Sequence, residues 1–209
     1  MGPAGLMPLL GRIVASQTVN RDVALLLSGG IDSYSVGVAC EREGKRVIAY
    51  TYELEGIPSV DRTKAEILAR RHGWPLKVVI VPTGDIANDF FRLVGVWRCR
   101  KKTHVEVMFP MMYVLSAIDE QDVFAGWNAD DHYANTAEDQ RKLAVLRRNG
   151  ATANKLIAAF DDLRRNRYAA HDASESQDTF WIASQIASAA GKRLLDPYTN
   201  DTIRQFFSL

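Results

Sequence analysis

Two kinds of hydrophobic run alternate through the first two thirds of the chain. Residues 23–27 (Val-Ala-Leu-Leu-Leu) are continuously apolar, between Arg21-Asp22 on one side and Ser28-Gly29-Gly30 on the other. Residues 46–52 (Arg-Val-Ile-Ala-Tyr-Thr-Tyr), 76–81 (Leu-Lys-Val-Val-Ile-Val) and 122–125 (Asp-Val-Phe-Ala) are of the same kind. Such short runs, rich in β-branched and aromatic side chains, predict strands buried on both faces. Between them, apolar residues recur at helical spacing: Val36, Ala39 and Cys40; Ala65, Leu68 and Ala69; Met111, Met112, Leu115 and Ile118. Asp61 is expected to cap the start of the second of these helices and Gly73 its end. Strand and helix alternating in this way predict right-handed βαβ units and a doubly wound parallel sheet, an α/β fold.

The last third is different. Residues 135–190 carry no β-like run, and their pattern is helical with arginine-rich faces. Gly150 punctuates it, Leu156, Phe160 and Leu163 form a stripe, and Ser174-Glu-Ser-Gln177 reads as a capping box opening a helix that ends near Gly191. The expected organisation is a lead-in over 1–22, an α/β core over 23–134 and a helical C-terminal layer over 135–209 packed on that core.

Composition narrows the classes. With 209 residues, 47% hydrophobic and 24% charged, the chain can bury a full core without disulfides. Its only cysteines, Cys40 and Cys99, are far apart, which suits a reducing compartment and excludes a four-cysteine zinc site. The apolar N-terminal run is too short for a signal peptide and lacks a basic lead-in, and no stretch approaches the roughly 20 apolar residues of a membrane span. The expectation is a cytoplasmic protein with no membrane partner. A formal charge of +1 gives no global attraction to nucleic acid.

The informative stretch is Ser28-Gly29-Gly30-Ile31-Asp32-Ser33, where a buried strand turns into a helix. Without Cβ atoms, Gly29 and Gly30 let backbone N–H groups approach phosphate oxygens. The helix N-terminus adds free donors and partial positive charge, and both serine hydroxyls can join them. There is no lysine and no G-x-x-x-x-G-K-[ST] spacing, so this is not the P-loop of kinases and GTPases; nor is it a G-x-G-x-x-G dinucleotide turn. An aspartate inside a phosphate loop would repel its ligand unless a cation lay between them, so Asp32 implies Mg²⁺.

At these residues the chain resembles the N-type ATP pyrophosphatases, the PP-loop superfamily with the adenine nucleotide alpha hydrolase-like (HUP-type) fold. The resemblance implies ATP as substrate, adenylation of a substrate oxygen with loss of pyrophosphate, and then attack by a nitrogen or sulfur nucleophile. In pattern it is most similar to the synthetase domain of asparagine synthetases. Asp122-Val-Phe-Ala-Gly-Trp-Asn-Ala-Asp-Asp resembles their Ser-Gly-Glu-Gly-Ala-Asp-Glu segment, with Gly126 at the first glycine and Asp130-Asp131 at the acidic pair. Residues 190–206, around Leu195-Asp196-Pro197, resemble their Arg-x-Pro-Phe-Leu-Asp motif. The likeness implies that Ser28, Gly29, Gly30, Ile31, Asp32 and Ser33 hold the pyrophosphate end of ATP. It places adenine against the backbone near Ala49 to Tyr52, with Tyr50 and Thr51 in contact, and Gly126 on the opposite wall. Asp32 and Asp130 are expected as Mg²⁺ ligands, with a solvated turn capping the next helix as the other reading of Asp130-Asp131. Asp196 is expected to order a C-terminal turn before Pro197 rather than to touch ligand. Members with a glutaminase domain carry Cys at residue 2; here it is Gly, so the amine donor is expected to be ammonia, a small amine or a partner's product. Their catalytic lysine beyond the Leu-Asp motif has no counterpart, which leaves its role vacant or filled by Lys102 or Lys192.

Arg92, Arg98, Arg100, Lys101 and Lys102 crowd around Trp97 and Cys99. They can clamp triphosphate, grip a nucleic-acid or acidic partner, or form a solvated face. Arg147-Arg148 and Arg164-Arg165-Arg167 read as solvated helix faces. The four histidines lack metal spacing, and only His132 falls near the site; each is expected to be satisfied or exposed. The expected function is an AMP-forming ligase that adenylates a small-molecule carboxylate or carbonyl and passes it to an amine. The alternatives are a PP-loop enzyme modifying RNA or nucleobases, and an ATP-binding regulator without turnover. A homodimer stays open.

Overall fold

The computed structural model describes residues 5–133, 137–173 and 179–208. In chain order its elements are α1 (Leu6–Gln17), β1 (Asp22–Leu26), α2 (Ile31–Arg42), β2 (Arg46–Leu54), α3 (Val60–His72), β3 (Leu76–Val81), α4 (Ile86–Gly95) and α5 (Lys102–Ala117). There follow β4 (Asp122–Phe124), α6 (Ala129–Tyr133), α7 (Ala137–Arg148), α8 (Ala153–Ala173), α9 (Thr179–Ala189), β5 (Arg193–Leu195), a 3₁₀ turn (Pro197–Thr199) and α10 (Asp201–Ser208). The sheet order is β3-β2-β1-β4-β5, and every pairing is parallel. This is the doubly wound α/β fold expected from the alternating runs.

Both faces of the sheet are covered over β1, β2 and β4, which is why these strands read as unbroken apolar runs. Val23, Leu25 and Leu27 point to one side, where α1, α2 and α3 supply Leu10, Val14, Val36, Ala39 and Ala65. Ala24 and Leu26 point to the other, against Met108, Met112 and Leu115 of α5 and Ile182 and Ile186 of α9. Chain order runs outward from β1 to β3, then jumps back to place β4 on β1's other side. The loops after β1 and β4 therefore diverge, opening a crevice at the carboxyl ends of these two strands.

One local expectation changes. Ser59, not Asp61, caps α3: its hydroxyl accepts from Arg62 N at 3.3 Å, which leaves Asp61 in the first turn. Gly73 closes that helix in the left-handed conformation, φ 68°, as expected. The lead-in carries α1, whose Leu9, Leu10, Ile13 and Val14 are buried. β5 extends the sheet by three residues beyond β4. The capping box at 174–177 lies outside the described residues, as do the side chains of Asp131, Arg167 and His171. Among the described residues, no helix is long and apolar enough to cross a membrane.

Candidate active site

The pairing of β1 with β2 continues one residue past β1, where Leu27 N donates to Tyr50 O at 2.8 Å. The chain then turns through Ser28, Gly29 and Gly30 into α2. Gly29 sits at φ 77°, and a Cβ there would lie 2.3 Å from the Cβ of Lys64 on α3. Two separate constraints thus require glycine: a left-handed backbone and a helix packed against the turn. The serines brace the loop from within. Ser28 Oγ and Ser33 Oγ are 3.2 Å apart, and Ser28 N donates to Ser33 Oγ at 3.3 Å. Gly30, at the N-cap of α2, provides no side-chain cap, so first-turn N–H groups remain for a ligand.

Asp32 lies in that first turn, partly buried, and its Oδ1 is a buried oxygen without a hydrogen-bond partner. Burial, and next the negative charge of Asp130, push its carboxyl up to about 6. Gly126, just after β4, closes the opposite wall. A Cβ on it would meet the Asp32 carbonyl carbon at 2.6 Å and Ser33 N at 2.8 Å, so the loop after β4 is in backbone contact with the first turn of α2.

The crevice between them is a cavity of about 290 Å³, lined by Ser28, Asp32, Ser33, Tyr50, Thr51 and Gly126 together with Tyr52, Asp61, Met111, Val114 and Trp127. The first six are among the residues expected from the sequence. Gly29 and Gly30 form the turn behind them, whereas Ile31 is exposed and does not line the cavity.

Asp196 is 1% exposed and takes two backbone amides: Asn128 N at 2.8 Å on Oδ2 and Tyr198 N at 2.9 Å on Oδ1. It caps the 3₁₀ turn and also pins the loop after β4. Burial pushes its carboxyl up to about 7, opposed by the amides of Asn128, Tyr198 and Trp127 and reinforced by Asp32. His132 is buried between Tyr168 OH (2.7 Å) and Tyr198 O (2.8 Å), a satisfied structural histidine.

The two lysines expected to supply a cation are elsewhere. Lys102, at the start of α5, lines a separate hollow and pairs with Glu106 at 3.3 Å. Lys192 precedes β5, at the far end of the sheet, and donates to Asp119 O at 3.0 Å. Lys64 is the cation whose stem abuts Gly29, with its Nζ 3.4 Å from Asp61. Sequence reading missed Lys64 and Asp61 because nothing local shows which face of α3 meets the loop. The buried spacing of Ala65 and Ala69 was the one available signal.

Among the described residues, no group of three or more histidine, cysteine or acidic side chains could hold a metal by itself. A buried, unpartnered Asp32 oxygen with Asp130 close enough to act on it fits a smaller contribution. Mg²⁺ is commonly held by one or two carboxylates while phosphates and water complete its shell. On that chemistry the residues fit a divalent cation shared with a bound triphosphate.

The family model for asparagine synthase matches residues 5–198. No curated protein matches the chain. Among solved structures, the chain is similar to an NH3-dependent NAD synthetase from Campylobacter jejuni subsp. jejuni (16% identity, 92% of this chain and 97% of that one, TM-score 0.49). It is also similar to an NMN synthetase from Francisella tularensis (13% identity, 92% and 95%, TM-score 0.44). A third is a predicted subunit of tRNA methyltransferase from Methanocaldococcus jannaschii (16% identity, 83% and 90%, TM-score 0.40). With the family match running from α1 to the 3₁₀ turn, the chain belongs to the asparagine synthase family of ATP-using PP-loop proteins.

Proposed function

We propose that this chain is an AMP-forming, ATP-dependent ligase that adenylates a carboxylate or carbonyl oxygen and passes the activated group to an amine. The observation that carries this reading is the Gly29-Gly30 turn leading to Asp32, a residue that lines the cavity and has a buried oxygen without a partner. The turn, the serine hydroxyls and the start of α2 hold the pyrophosphate end of ATP. Tyr50, Thr51 and Tyr52, in the second half of β2, bound the remaining space, where backbone edges can take adenine. Asp32 and Asp130 would hold Mg²⁺, which when bound would supply charge neutralisation on the triphosphate.

An acceptor oxygen attacks the α-phosphorus, the α–β bridging bond breaks, and pyrophosphate leaves. The amine nitrogen then attacks the activated carbon and AMP departs with the acceptor's oxygen. With no lysine in the turn to act on the γ-phosphate, stabilisation on the β-phosphate side favours this cleavage over loss of the γ-phosphate. Lys64 takes the role first given to Lys102, because its stem is the one that abuts the turn. Turnover with ¹⁸O-labelled acceptors is the test: label is expected in AMP, with pyrophosphate as co-product. ADP and phosphate as main products would refute the reading.

The position of Lys102 outside the cavity favours a second reading, a nucleotide-binding regulator without turnover. Nucleotide binding with no pyrophosphate release across a broad acceptor panel would support it.

A further inference from the structure

The basic stretch around Trp97 does not reach the nucleotide cavity. It surrounds a hollow of about 820 Å³ between α4 and the start of α5. Phe90, Val94 and Val105 form an apolar wall, and Arg98, Arg100, Lys101 and Lys102 line the rest with Cys99 and Glu106. Lys102 pairs with Glu106, the hollow's only carboxylate. Among the described residues, Arg98, Arg100 and Lys101 form no ion pair. Three uncompensated cations held this close repel one another unless an anion joins them.

Two backbone features sharpen the site. Arg98 is the one described non-glycine residue with positive φ, 55°, followed by buried Cys99, whose N donates to Leu93 O at 2.9 Å. A left-handed arginine is a strained choice that its surroundings must enforce. α5 then starts at Lys102 with no side-chain cap and no acid in its first turn, so its free N–H groups add to the field of the four cations.

We propose that this hollow is a second anion subsite, taking a phosphate group carried on an apolar or aromatic body. Convergent arginine forks and helix donors match a multivalent phosphate better than a single carboxylate. The wall of Phe90, Val94 and Val105 matches an apolar body beside the phosphate. A nucleic-acid strand would need cations spread along a track. Here they converge on one hollow, in a chain whose formal charge is only +1. Lys102 and Met111, a residue of the nucleotide cavity, lie nine positions apart on α5, roughly 13 Å along its axis. A phosphorylated acceptor anchored in the hollow can therefore extend toward the reacting phosphate. That last step rests on the ligase reading; the subsite itself does not.

The test titrates the full-length, ¹⁵N-labelled protein with inorganic phosphate and with phenyl phosphate, following backbone amides by NMR. Saturable shifts are expected at Lys102 and Thr103, with phenyl phosphate binding more tightly than inorganic phosphate. Arg98→Gly with Arg100→Ala keeps the left-handed backbone while removing two cations, and should weaken both ligands at least about tenfold. Shifts at Gly29 to Ser33 should not change in that variant. Phe90→Ala should abolish only the advantage of phenyl phosphate. Non-saturating shifts at Lys102 and Thr103, or equal binding by the double variant, would overturn the subsite. So would tight binding of a short RNA, lost in the double variant, where phenyl phosphate does not bind. ATP-driven pyrophosphate release, measured separately, tells failure of the ligase reading from failure of the subsite.

Discussion

Asp32 combines a buried oxygen without a partner and a carboxyl pushed up to about 6, a state that a cation would reverse. Nucleotide affinity in the presence of Mg²⁺ should therefore fall as pH drops through 6, because protonated Asp32 no longer attracts the ion. Asp130→Asn removes the charge that helps raise this pKa, so the fall should begin at lower pH even as overall Mg²⁺ affinity weakens. Calorimetric titrations across pH 5 to 8 on both proteins would check the two effects; a fall at the same pH in the variant would show that Asp130 does not act on Asp32. Gly126 is the companion test. An added Cβ 2.6 Å from the Asp32 carbonyl carbon must push the loop after β4 away from α2. Gly126→Ala should cost about 1–3 kcal/mol of stability, the usual range for overpacking, and weaken ATP binding as well. Lys64→Ala should lower pyrophosphate release with little change in thermal stability, since its side chain is about half exposed (53%). Equal turnover in that variant would return the cation's role to an unassigned group.

Elements hold these residues in place through anchors remote from the cavity. Asp122 opens β4 fully buried, and accepts from Arg193 Nε (2.7 Å) and a terminal guanidinium nitrogen (2.8 Å) on β5, from Asn20 Nδ2 (2.9 Å), and from the Thr18 hydroxyl. This joins the end of α1, the entry to β1 and both strands on the far side of the switch point. Arg193→Ala leaves the carboxylate with only Thr18 and Asn20, and should cost roughly 1.5–3 kcal/mol in chemical denaturation. A loss within a few tenths of a kcal/mol, as at exposed ion pairs, would show that solvent replaces the guanidinium. The same elements show what the sequence makes legible. β1, β2 and β4 stand out because burial on both faces leaves unbroken apolar runs, and β3, a half-exposed edge strand, stands out through its β-branched residues. β5 does not, because three residues (Arg-Leu-Leu) between Lys192 and Asp196 are too few to show a period. Helix α1 hides behind Pro8 and Gly11, although Leu6, Leu9, Leu10, Ile13 and Val14 keep a helical spacing. The glycines and Asp32 were readable because their chemistry is local. Asp61 and Trp127, which line the cavity, and Lys64, whose stem abuts Gly29, were not, since only the packing of α3 and of the loop after β4 brings them there.

At the scale of the whole molecule, the two perturbed carboxyls set how stability depends on pH. Asp196 is pushed up to about 7 and Asp32 to about 6, while in the unfolded chain each titrates near 4. Between these limits the folded protein holds more protons than the unfolded chain, so folding releases less free energy as pH rises. The stabilising contribution of both groups is complete below pH 4 and is lost as pH climbs through 6 and then 7. Its slope is at most about 1.4 kcal/mol per pH unit for each group. Asp22 and Asp119, held below the usual carboxylate range by Arg46 and Lys77, act in the opposite direction, but only in more acidic solution. Urea denaturation should therefore give lower stability at pH 7.5 than at pH 5. A ligand that needs ionised Asp32 must tilt this profile. Mg²⁺ with ATP should stabilise the fold more at pH 7.5 than at pH 5, since binding at low pH must first displace a proton. Asp32→Asn should flatten the ligand-free decline near pH 6 and abolish the differential response to Mg²⁺ with ATP. Stability rising between pH 5 and 7.5 in the ligand-free protein would contradict the burial of these two carboxyls, and an equal gain from Mg²⁺ and ATP at both pH values would separate nucleotide binding from Asp32.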